Sequence, residues 1–247
     1  MKKNGIIYVF HGDKFPNRFA QIQKFVKKLG NDFTSSPQKL AILGSSNYPI
    51  EGQIKDLCSE GINDIIVVPV LLFSAIHLER DITAPIEMLS KQLGFSYRVT
   101  APLATQPSVI NYFKEAIYDV IKRQSLATPL NVLVIAHGSK HSSRPQKALL
   151  EIKKELQTLD LNIDLGVNHG EPDFHKRLQL INPINPLLIV PYFLGDGSNS
   201  KGVCDSIIVQ RSKRGGGATY MTDPLEFDDS LVPTINDIVM EAMNSLN

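Results

Sequence analysis

Two histidines stand where apolar runs break off. "IIYVFHGDKF" (residues 6–15) stops at His11–Gly12, and "VVPVLLFSAIHLERDI" (67–82) passes through a small-residue turn containing Ser74 and reaches His77 at the start of a helical pattern. Two imidazoles facing one crevice, with water or substrate completing the shell, suit a first-row divalent ion such as ferrous iron, cobalt or nickel. A neutral imidazole, with a reference pKa of about 6.5, also serves as a base at neutral pH. Gly12 lets backbone come close to whatever occupies the crevice. Asp81 lies one helical turn after His77 and has two readings. It orients the imidazole, or it is an ordinary first-turn acid favoured by the helix dipole.

Strands and helices must position these groups. "GIIYVF" is a continuous apolar run suited to a strand covered on both faces, and "NRFAQIQKFVKKLG" then sets Phe19, Ile22, Phe25, Val26 and Leu29 at helical spacing. "KLAILGSS", "DIIVVPVLLF" and "SYRVTAPLA" read as further strands. They alternate with the helical patterns "IEGQIKDLCSEGIN", "HLERDITAPIEMLSKQLG" and "SVINYFKEAIYDVIKRQ". The series restarts at "NVLVIAHGS", where His137 follows His11 by 126 residues, and "IVP" (189–191) follows "VVP" (67–69) by 122. The expectation is an α/β chain of two similar tandem domains, 1–125 and 126–247. Each would be a parallel sheet of about four strands with helices on both faces. Ligands of such sheets sit beyond the carboxyl ends of the strands, where both His-Gly pairs fall.

The second half does not repeat the chemistry. After its "IVP" come Asn199 and Lys201 where the counterpart of His77 belongs; His137 and His169 remain, while His141 and His175 stand in polar contexts. The first half is therefore read as the reactive one. "RSKRGGG" (211–217) reads as a basic loop rather than a phosphate cradle, and no dinucleotide or Walker fingerprint occurs.

Composition narrows the class. A formal net charge of +1 over 247 residues argues against a nucleic-acid coat, and two cysteines, Cys58 and Cys204, make neither a disulfide framework nor a zinc knuckle. With no long apolar run and no leader-like start, a cytoplasmic protein is expected, without membrane or nucleic-acid partners.

"IIYVFHGD" combined with "VVPVLLFSAIHLERDI" resembles the class II chelatases, the sirohydrochlorin ferrochelatases and cobaltochelatases, in their long two-repeat bacterial form. The resemblance is strongest over residues 5–90. It implies a lyase that inserts Fe2+ or Co2+ (Ni2+ in vitro) into sirohydrochlorin without ATP, on the way to sirohaem or a cobalamin precursor. No cofactor would be permanently bound, and the duplication implies a monomer. The family's active-site histidines fall on His11 and His77, as metal ligands and as acceptors of the pyrrole protons, with Asp81 behind them. Gly12, Ser74, Arg80, Arg144 and Lys201 are the expected contacts to the carboxylate-rich macrocycle, with Lys140 and the 211–214 cluster adding positive charge. One departure stands out. The family commonly has an acid at the end of the second strand, where this chain has Gly44 followed by Ser45 and Ser46. Asp13, Glu51 and Glu79 are the substitutes within reach. A metal or tetrapyrrole carrier without turnover, and a chelatase for another tetrapyrrole, are the alternative readings.

Overall fold

The structure is a computed structural model that describes residues 4–11, 16–73, 77–157, 160–195, 198–227 and 229–245. It contains two four-stranded parallel sheets. In the first, β1 (Asn4–His11), β2 (Gln38–Leu43), β3 (Asp64–Pro69) and β4 (Ser96–Val99) are ordered β2-β1-β3-β4. In the second, β5 (Leu130–Gly138), β6 (Leu161–His169), β7 (Leu187–Pro191) and β8 (Thr219–Met221) are ordered β6-β5-β7-β8. The two orders are the same order, so the repeat read from the sequence is also a repeat of topology.

Alternation along β1 sorts its side chains onto two covered faces. Ile7 and Val9 join Ile65 and Val67 of β3 beneath α2 (Ile50–Ser59) and α3 (Ala84–Leu93), which contribute Ile54, Leu57, Ile86 and Leu89. Phe10 turns the other way. It meets Phe25 of α1 (Pro16–Leu29) edge-on with ring centres 6.4 Å apart, and Phe227 at 5.5 Å. α8 (Leu231–Asn244) packs on α1 and β3 on this side. Polar pins hold it there, from Lys28 to Asp229 and from Asn236 to Asp32.

In the second sheet Leu133, Ile135, Leu187 and Ile189 lie with Phe174 and Leu178 of α6 (Phe174–Leu180) and Val203, Cys204 and Ile207 of α7 (Ser198–Lys213). α4 (Pro107–Arg123) packs against β7 and against α5 (Arg144–Leu156). Its Phe113 stacks on Tyr192 at 4.0 Å, and the Tyr192 hydroxyl donates to the Ala104 carbonyl at 2.6 Å.

The compact units differ from the tandem halves 1–125 and 126–247. One unit is Met1–Leu103 with Phe227–Asn247, and the other is Ala104–Glu226. The last helix of each half has changed places: α4 completes the second sheet and α8 the first. The cause lies in which apolar face each helix finds, with Val109, Ile110, Phe113 and Ile117 of α4 buried in one unit and Leu231, Ile235 and Val239 of α8 in the other.

Two other expectations change. β8 escaped the sequence reading because it has three residues, none fully buried, and follows Gly215–Gly217. The basic segment at 211–214 is mostly helix rather than loop, and its first cation is internal. α7 continues to Lys213, and Arg211 is 1% exposed, donating to Thr219 Oγ1 (3.0 Å) and to the carbonyls of Pro183 (3.1 Å) and Asn185 (2.7 Å). Burial lowers its pKa, with help from Arg214. Arg214 itself donates to the Leu178 carbonyl at 2.7 Å, so these two cations tie loops together.

At the amino end of the first sheet Asp64, wholly buried, accepts from Arg98 Nη2 (2.7 Å) and Ser96 Oγ (3.0 Å). Removing it leaves a partly buried guanidinium unpaired. Asp64→Ala is expected to cost about 2–4 kcal/mol in urea denaturation. A fragment of residues 1–125, which lacks α8 and carries α4 without its sheet, is expected to show a broad, non-cooperative thermal transition and to bind hydrophobic dye; a sharp transition would contradict the exchange of helices.

Candidate active site at the strand ends

β1 is buried without interruption from Gly5 to Phe10, and His11 is the first residue to emerge. Every backbone group of a central strand is spoken for by its neighbours, so only at the carboxyl end does a polar side chain reach solvent. His11 stands opposite Leu43, the last residue of β2. It shares the parity of Ile7 and Val9, which assigns it to the face covered by α2 and α3.

β3 lies beside β1 in parallel, and the chain leaving it re-enters helical structure at His77. Residues His77–Thr83 form wide, π-type turns that continue directly into α3, with Thr83 Oγ1 donating to the Leu78 carbonyl at 2.9 Å. Such turns are rare and recur at functional sites. The backbones of His11 and His77 thus leave adjacent strands, and His77 opens the segment leading into the helix on the face that His11 joins. Gly12, Asp13 and Ser74 lie outside the described residues, as does the side chain of His77.

Asp81 is engaged by its neighbour. Arg80 Nε donates to Asp81 Oδ1 at 2.6 Å and Arg80 Nη2 to Oδ2 at 3.1 Å, which raises the Arg80 pKa further. The side chains are 68% and 27% exposed, so the pair is a weak surface bridge that opens at little cost. The other expected anion contacts belong to the second unit. Arg144 is the exposed first residue of α5, and Lys201 is exposed in the first turn of α7. Lys140 is also exposed there.

The end of β2 explains the missing acid. Gly44 has φ of +78°, and the Ser45 N–H closes a tight turn onto the Ile42 carbonyl at 3.1 Å. A Cβ at Gly44 would meet nothing within 4 Å, so backbone conformation and not crowding favours glycine. Of the substitutes, Glu51 is partly buried in the first turn of α2 and Glu79 is exposed. Among the described residues no three His, Cys, Asp or Glu side chains gather into a metal-holding group. Neither cysteine is in a disulfide, and burial raises the Cys58 pKa, which keeps it a thiol. No helix among the described residues is long and apolar enough to cross a membrane.

One constellation went unread in the sequence. A third His-Gly pair, His169–Gly170, ends β6, and the ring of His169 meets that of His137. The signal was the dipeptide itself, hidden because "LNIDLGVNHG" is less apolar than its two counterparts.

Residues 5–120 match the family model described as CbiX. The whole chain superposes on SirB from Bacillus subtilis with Fe3+ at a TM-score of 0.81 and 19% identity, covering 97% of this chain and 95% of that one. Against the sirohydrochlorin chelatase SirB from Bacillus subtilis subspecies spizizenii in complex with cobalt, the TM-score is 0.77 at 17% identity, over 97% and 94%. CbiX, the terminal enzyme for biosynthesis of siroheme in denitrifying bacteria, gives 0.68 at 15% identity, over 96% and 99%. No curated protein matches the sequence. The CbiX match thus covers residues 5–120, and the fold of both sheets is the one seen in these chelatase structures.

Neighbouring residues of β1 should behave oppositely on substitution. His11→Ala, at an exposed strand end, is expected to change unfolding free energy by about 1 kcal/mol or less. Phe10→Ala, at 0% exposure between Phe25 and Phe227, is expected to cost about 3–5 kcal/mol. Chemical denaturation of both variants measures the difference.

Proposed function

We propose that this protein inserts ferrous or cobaltous ion into sirohydrochlorin, without ATP, at a site built on His11 and His77. The observation that carries the reading is the pairing of two histidines on the exits of adjacent parallel strands, within the CbiX-matching residues 5–120. The metal is a substrate here, as is the tetrapyrrole. Its pyrrole nitrogens lose two protons as the metal enters, so a base must stand beside the ring. An imidazole that is neutral at pH 7 takes a proton or holds the incoming ion with the same lone pair. His11 and His77 fill these roles in our reading, with Gly12 and Ser74 as contacts to the macrocycle.

The macrocycle's carboxylates call for cations. Arg80 is the first candidate, because its bond to Asp81 is exposed and readily exchanged for a ligand carboxylate. On this reading Asp81 stores the Arg80 guanidinium in place until the ligand arrives. The cytoplasm would supply both substrates.

Gly44 favours a second reading, in which the protein holds metal or pigment for a partner without turning it over, since the acid common at the end of the second strand is replaced by a tight turn. One experiment separates the two. Anaerobic absorbance follows sirohydrochlorin with Fe2+, and separately with Co2+, in the presence of wild type, His11→Ala, His77→Ala or no protein. Acceleration by wild type alone, with each variant at least about 100-fold slower, is the expected outcome for histidines acting as ligand or base. Pigment binding with no acceleration over the protein-free control would replace catalysis by the carrier role. Faster metallation of a tetrapyrrole with fewer carboxylates would move the substrate assignment.

A further inference from the structure

The second sheet carries its own histidine pair, and its geometry is described on both sides. His137 is the first exposed residue of β5 after a buried run from Val132 to Ala136, and His169 is the exposed last residue of the neighbouring strand β6. Their rings meet edge to face, with centres 4.8 Å apart and planes at 80°. With metal–nitrogen bonds of about 2.0–2.1 Å, two imidazoles sharing one ion at near-tetrahedral or right-angled geometry have ring centres roughly 4.5–5.2 Å apart. The observed spacing falls within that interval.

The backbone behind the pair is locked by close approach. A Cβ on Gly138 would lie 2.3 Å from the carbonyl oxygen of His169, and a Cβ on Gly170 would lie 2.4 Å from the carbonyl oxygen of Ser139. Both glycines have positive φ, +70° and +96°. Each His-Gly turn therefore presses into the other, and only glycine permits it. The register adds a comparison with the first sheet. His11 stands opposite Leu43, so Gly44 follows; the pairing of Gly138 with His169 puts His169 at the position corresponding to Gly44. The second sheet has an imidazole where the first has a glycine.

The surroundings fix what kind of site this is. Asn168 lies with its amide nitrogen 3.5 Å from His169 Nε2, so the amide donates to that ring nitrogen, a contact that a metal ion bound at Nε2 would replace. The carboxylates that follow β6 are occupied: Glu171 bonds Lys176 Nζ at 2.6 Å and the Asp173 N–H at 2.9 Å, and Asp173 caps α6 by accepting from the Lys176 N–H at 3.1 Å. Among the described residues no third protein ligand joins the two imidazoles, so the remaining coordination positions go to water, unlike a closed structural zinc site.

We propose that His137 and His169 form a second metal site, an open two-histidine site that captures and releases a late first-row divalent cation such as Co2+, Ni2+ or Zn2+. Imidazole donors select this class of ion over Mg2+ or Ca2+. The site is independent of the reaction assigned to His11 and His77, and its test uses no tetrapyrrole.

Equilibrium dialysis against Co2+ at neutral pH, in a His11→Ala/His77→Ala background, reads the second sheet by itself. About one bound ion per chain is expected. Adding His137→Ala or His169→Ala should weaken it at least about tenfold, as loss of a ligand costs no less than loss of a ligand's supporting contact. His175→Ala is the control, since this exposed histidine of the same unit bonds Gln210 instead and should leave binding unchanged. In wild-type protein, paramagnetic Co2+ should broaden the ring-proton resonances of His137 and His169 together, a readout that needs no variant. Cobalt binding that is indifferent to both substitutions, or ring resonances untouched by the ion, would overturn the proposal.

Discussion

Both sheets are governed by the saturation of their central strands. β1 has β2 and β3 beside it and helices over both faces; β5 is flanked by β6 and β7 in the same way. In that position a side chain contributes about 1.5–3 kcal/mol if it is apolar and fully buried, and costs free energy if it is polar and unpaired. The strand must stay apolar to its carboxyl end. A histidine there is consequently the earliest chemistry the strand can offer, and parallel pairing gathers several such ends on one edge. His11 and His137 both obey this rule.

This constraint also decided what was readable in the sequence. The apolar runs of β1, β3, β5 and β7 announced themselves, as did the return of the whole pattern after some 120 residues. β8 did not, because an edge strand paired to β7 alone needs few apolar residues. The exchange of α4 and α8 was equally silent. An amphipathic helix advertises that it has an apolar stripe, but the stripe does not say which of two similar sheets it covers. Phe113 against Tyr192 and Phe227 against Phe10 are choices made in three dimensions.

The candidate site was legible to a comparable degree. The position of His11 at a strand end follows from pattern alone, while the Arg80–Asp81 bridge depends on how the wide turns after His77 present their side chains. Arg211 shows the opposite failure. Within "RSKRGGG" it reads as a solvated cation, yet it is 1% exposed because the carbonyls of Pro183 and Asn185 need donors where the loop closes. Charge counts do not distinguish a cation that meets ligands from one that satisfies backbone.

Duplication gave both sheets the same strand-end architecture, and the two have since diverged in the residues placed on it. In the first, a tight turn at Gly44 occupies the exit of β2, and the second histidine of the proposed site, His77, follows β3 in the chain. In the second, that imidazole position is taken over by Asn199 and Lys201, whereas the exit of β6 supplies His169 beside His137. A donor lost beyond one neighbour of the central strand is thus matched by one gained on the other. The interlocked Gly138 and Gly170 turns hold that pair at a spacing suited to one small ion. A macrocycle needs far more room than an ion, so on the two proposed readings the flank of the central strand that carries the second histidine would decide which ligand the same fold edge serves.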